Sequence, residues 1–169
     1  MKAVLDVLLL GLALIYQLGF GATLSFKGVG LDLICVCLCS LAIWQGPAYG
    51  AVSGLLAGLV LDGLFGHFGF YASGYLAVGL FAGYLADKLR FDRVVAPLLC
   101  FAVLYLVKEL PALAYLFFAD VPISWPLAML KLLGCALLGA AVFLPVHLGL
   151  GRLHAWEVIQ APLFRRGKW

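Results

Sequence analysis

Between Leu33 and Ala86 a single side chain carries charge, Asp62. The runs on either side, 33–61 and 63–86, are each long enough to cross a bilayer core, which takes about 20 apolar residues as a helix. A water-facing surface cannot be built on them. About a quarter of an ordinary soluble domain is charged; here the share is 11%, against 66% hydrophobic residues. Membrane barrels show short segments of alternating polarity, and these runs are continuous. The sequence therefore predicts an all-α, polytopic membrane protein.

Measured against that length, six spans are expected, at about 3–25, 29–45, 47–65, 68–87, 94–119 and 126–150. Gln45-Gly46-Pro47 divides the second from the third, with Pro47 well placed at a helix start, where its missing N–H costs nothing. The first span is too long for a signal-peptide core and has no A-x-A site, so it reads as a retained helix. Residues 151–169 read as a basic, aromatic tail suited to an anionic membrane surface or a partner. With six spans, Lys2, Lys88, Arg90, Arg93, Arg152, Arg165, Arg166 and Lys168 fall on one side and only Lys27 on the other. Positively charged loops stay inside, which predicts cytoplasmic termini and an inner (cytoplasmic) membrane location.

The third span contains "GAVSGLLAGLVLDG", in which Gly50, Gly54 and Gly58 recur every four residues and Asp62 comes one step further. Steps of four drift only about 40° around a helix, so the three glycines form one strip. In lipid, helices associate by close packing, which small residues permit. The strip reads as a packing axis, and Gly74, Gly79 and Gly83 repeat the device in the fourth span. Asp62 has two readings. It either pairs with Lys131, at comparable depth in the sixth span, or caps the turn "LDGLFGHFGF" by bonding backbone N–H groups.

Lys108 and Glu109 lie near the middle of the fifth span beside Pro111. A charge there costs about 2.5–3.5 kcal/mol on insertion scales. Neighbouring side chains diverge by about 100° on a helix, which predicts a separate partner for each. They form either a polar site for a ligand or partner helix, or a set facing water around a break at Pro111. The five cysteines, Cys35, Cys37, Cys39, Cys100 and Cys135, lie in apolar runs and read as small buried hydrophobes. His67, His147 and His154 show no metal-ligand spacing, and no phosphate loop or nucleophile motif occurs. No enzyme, metal, cofactor or nucleic-acid role is expected.

Residues 44–89, "WQGPAYGAVSGLLAGLVLDGLFGHFGFYASGYLAVGLFAGYLADKL", resemble the rod shape-determining protein MreD family. The matching positions are Gly46, Gly50, Gly54, Gly58, Asp62, Gly69, Gly83 and Tyr84. The family often has a Pro-Asp pair at the start of helix two; here Asp32 follows Leu31. The resemblance implies a non-enzymatic scaffold of the bacterial cell-elongation complex, which builds peptidoglycan. It implies as partners the single-span protein MreC and, through it, the MreB filament, the RodA polymerase and its penicillin-binding transpeptidase, all within membrane lipid. It also implies a fold resembling the substrate-binding (S) component of energy-coupling-factor vitamin transporters, which supplies the alternative function.

Overall fold

The computed structural model describes residues 2–19, 30–66, 69–88, 94–118 and 124–160, apart from the side chains of 2–4, 87, 111–117 and 153–160. These residues form six helices: α1 (Lys2–Gly19), α2 (Leu33–Gln45), α3 (Pro47–Phe65), α4 (Phe70–Lys88), α5 (Val95–Phe118) and α6 (Trp125–Gln160). By length and apolarity two of them, Pro47–Phe65 and Trp125–Arg152, suffice to cross a membrane; Leu5–Gly19, Leu33–Gln45 and Phe70–Ala86 are apolar but shorter.

Local chemistry sets the helix ends. Asp32 caps α2, its Oδ1 accepting the Cys35 N–H at 3.0 Å, which satisfies one of the donors a helix start leaves over. At the other end Gly46 alone separates α2 from α3, with φ at +97°. A side chain there would be strained, and Pro47 then opens α3. Gly66, left-handed at φ +70°, closes α3 with its N–H on the Asp62 carbonyl.

Helix α2 sits in the middle and touches all five other helices. Ile34 through Ala42 are buried without interruption, so over this stretch α2 has no outer side. At 13 residues it is only about 20 Å long, shorter than a bilayer core of about 30 Å; surrounded by protein, it needs no lipid match. Because α2 is enclosed over this stretch, Cys35, Cys37 and Cys39 are all buried, as expected of small buried hydrophobes. They pack as small apolar groups, with Cys100 on α5 buried and Cys135 on α6 partly so.

Large apolar side chains occur inside, such as Tyr75, Phe101 and Phe143, and also on the outer surface. Leu12, Ile15, Leu56, Leu99, Leu130 and Leu137 are each 59% or more exposed. A water-soluble monomer rarely presents so much contiguous apolar surface; hydrocarbon accepts it.

Two expected boundaries shift. α2 starts at Leu33 rather than 29, because Asp32 caps it. α6 runs to Gln160 rather than ending near 150, so the tail begins as helix. The expected end of the first span, Lys27 and the tail beyond 160 lie outside the described residues.

Candidate functional site

Helices α3 and α4 form a hairpin whose seam is the glycine strip. A Cβ on Gly50 would lie 2.6 Å from the Ala42 Cβ, one on Gly54 2.8 Å from the Tyr75 carbonyl carbon, and one on Gly58 2.6 Å from the Ala72 nitrogen. Gly79 meets the Gly50 backbone, and Gly83 meets Pro47. The strip therefore packs within the chain, backbone against backbone. Gly74 differs from its neighbours: it faces away from α3 and makes room for the Lys108 stem, whose Cγ would lie 3.1 Å from an added Cβ.

Asp62 ends the seam. Its two carboxylate oxygens accept the N–H groups of Tyr71 and Ala72 at 3.0 and 2.9 Å. Those N–H groups belong to the first turn of α4, where unsatisfied donors and the helix dipole both favour an anion. The expected Asp62–Lys131 contact is thus corrected. Lys131 is half-buried on α6, while Asp62 is taken up by backbone, in keeping with the capping alternative. Tyr84 is 47% exposed and carries the Lys88 ammonium 4.8 Å over its ring.

The charges predicted for the fifth span converge elsewhere. Lys108 reaches from α5 to the Asp32 carboxylate at the head of α2, making a buried ion pair. The Tyr75 hydroxyl of α4 donates to the same carboxylate at 2.9 Å. The Lys108 ammonium also lies 5.0 Å over the rings of both Tyr75 and Tyr105, close enough for cation–π attraction. Glu109 completes the cluster, its Oε1 2.8 Å from Lys108 Nζ. The expectation of separate partners for Lys108 and Glu109 is therefore corrected: the long lysine stem swings back far enough to serve both carboxylates.

Asp32 thus receives the Cys35 N–H, the Tyr75 O–H and the Lys108 ammonium, three donors from three helices. The arrangement ties three helices together, its ammonium held by carboxylates and its phenol committed as donor. The sequence offers one clue to Asp32: it stands at the border of a charge-free helix. Nothing in the spacing links it to residue 108.

Two further polar sites escape sequence reading. Asp6 of α1 is 3% exposed and accepts from the Gln45 side chain, with the Tyr49 hydroxyl at 3.5 Å, at the junction of α2 and α3. His147 of α6 is buried, with Nδ1 3.1 Å from the Ser40 hydroxyl and its ring stacked between Trp44 and Phe143. Each joins residues far apart in the chain. His67 lies outside the described residues, as does the His154 side chain. Among the described residues, no three His, Cys, Asp or Glu side chains group as a metal site. No protein-family model, curated protein or solved structure matches the chain.

Proposed function

We propose that this chain is a non-enzymatic scaffold of the bacterial cell-elongation machinery, similar to MreD. In this reading all six helices cross the inner membrane and both termini are cytoplasmic, the side that collects eight of the basic residues outside the spans. The observation that carries the reading is the fate of residues 44–89, the stretch of the resemblance. Within it α3 and α4 pack as a hairpin whose glycines are used in the helix–helix seam and whose Asp62 is used to cap α4. Its outward side includes large apolar side chains: Val52, Leu56, Leu59 and Phe81 are between 48% and 59% exposed. These side chains meet the span of an MreC-like partner, which couples the chain to the MreB filament, the RodA polymerase and the penicillin-binding transpeptidase.

The competing reading, a vitamin-binding transporter subunit, draws on the polar cluster of Asp32, Tyr75 and Lys108. A ligand there would first have to displace Lys108 from a carboxylate that already accepts three donors. That favours the scaffold.

The test is affinity purification of the tagged chain from its native membranes, with mass spectrometry of what accompanies it. An MreC-like protein with cell-wall synthesis enzymes, diminished by Leu56→Trp while the chain stays inserted, is the expected result. An ATPase-driven coupling complex or a tightly held vitamin would overturn it.

A further inference from the structure

The Lys108 ammonium sits in a chamber that its own helix builds only in part. Asp32, at the head of α2, and Glu109, beside it on α5, both accept from it as carboxylates. The Tyr75 ring of α4 and the Tyr105 ring of α5 each lie under the ammonium, 5.0 Å from Nζ. Those tyrosines are 1% and 5% exposed and the Lys108 side chain 9%, so little water reaches the charge. Tyr105 precedes Lys108 by three residues, which puts both on one side of α5. The Tyr75 hydroxyl donates to Asp32 at 2.9 Å and so orients the carboxylate that meets the ammonium.

Each part answers to a property of a primary ammonium. Such a group is strongly hydrated and carries three N–H donors, and burying it is costly unless those donors are used. Here two carboxylates accept from it, and two ring faces stand where water would otherwise stabilise the remaining charge. The stem has its own path, because Gly74 of α4 leaves room for it; an added Cβ there would lie 3.1 Å from Lys108 Cγ. A quaternary ammonium has no N–H to give either carboxylate.

We propose that Asp32, Glu109, Tyr75 and Tyr105 form a recognition site for a primary alkylammonium, which the chain fills with Lys108 as a tethered ligand. Tethering keeps the effective concentration of that ligand high, so free amines are excluded while Lys108 is present. With the tether cut, the site takes a free alkylammonium. Lys108→Ala retains Cβ and removes Cγ, Cδ, Cε and Nζ, the heavy atoms of n-propylammonium, which is therefore the ligand of best fit. The inference stands on these contacts and goes beyond the scaffold reading, which requires no ligand site.

The test melts purified Lys108→Ala in detergent micelles, followed by helical circular dichroism, with n-propylammonium chloride, n-propanol or tetramethylammonium chloride added at equal concentration. n-Propylammonium is expected to raise the melting temperature with the logarithm of its concentration, as a ligand of the folded state does, and to leave the wild type unmoved. Methylammonium, two methylenes shorter, is expected to need about tenfold more for the same shift. Adding Asp32→Asn is expected to abolish the response. A folded Lys108→Ala chain that n-propylammonium does not stabilise overturns the site. So does an equal shift from n-propanol, the mark of a cavity without charge recognition, or from tetramethylammonium, the mark of a general salt effect. A second measurement needs no change at residue 108. Lys88, whose ammonium lies over the exposed Tyr84 ring, is removed by Lys88→Met. In that chain, isotopically labelled at lysine Cε, one ε-methylene proton signal is expected upfield of the rest, shifted by the Tyr75 and Tyr105 ring currents. Lysine signals that all keep their ordinary positions would overturn the cage, whether or not Lys108→Ala folds.

Discussion

Lys108→Met tests whether the buried ion pair ties the bundle together. Methionine keeps an unbranched stem over Gly74 but removes the cation from Asp32, whose side chain is 8% exposed. Stripping one partner from a buried pair costs about 3–5 kcal/mol. Two donors remain on Asp32, the Cys35 N–H at 3.0 Å and the Tyr75 hydroxyl at 2.9 Å, so the cost falls at the lower end, about 3 kcal/mol. That is roughly a hundredfold in the folding equilibrium. Asp32→Asn retains a capping side chain, and Glu109 still holds Lys108 at 2.8 Å; about 2 kcal/mol is expected. The double variant removes both charges and is expected to cost no more than Lys108→Met alone, a coupling of about 2 kcal/mol. Hydrogen bonds between membrane helices average only about 0.6 kcal/mol in such cycles, so the value separates a charged tie from an ordinary polar contact. Equilibrium unfolding in mixed micelles, followed by helical circular dichroism, supplies the numbers. Single costs below about 1 kcal/mol that simply add would refute the reasoning.

Further perturbations address the other contacts. Gly54→Leu forces a side chain into the Tyr75 backbone and is expected to lower the amount of folded chain severely, by at least about 3 kcal/mol; normal yield and melting in detergent would show that the seam is not closed. Asp62→Ala removes both caps of the α4 N-terminus, with an expected cost of about 1–2 kcal/mol. Lys131→Met should leave that cost unchanged, since the two residues are independent, and a double-variant melt checks the additivity. Asp6→Ala unlinks α1 from Gln45 and Tyr49 at about 1–3 kcal/mol. Amide exchange is expected to rise in α1 first, because among the described contacts α1 packs mainly along α2.

Helical class, the glycine seam and the third helix were legible from composition and spacing alone, because each follows from local rules. Long charge-free runs can be satisfied only by internal hydrogen bonding, and four-residue glycine spacing makes a strip on any helix. Pro47 after Gly46 marks a boundary for the same local reason. What the spacing could not supply was the other side of each contact. Asp62 and Lys131 share a depth in the sequence pattern, yet Asp62 finds Tyr71 and Ala72, nine and ten residues away, because a helix start offers free N–H groups at once. Asp32 and Lys108 are 76 residues apart and meet only because α2 occupies the centre, where α4 and α5 both reach it. Asp6 with Gln45, and Ser40 with His147, depend on the same central placement. Thus the sequence determined which segments become helices and which faces stay apolar, through the solvent they must meet. Only the tertiary structure decided which buried charges compensate one another, because a charge inside a bundle is satisfied by whatever the packing brings within a few ångströms.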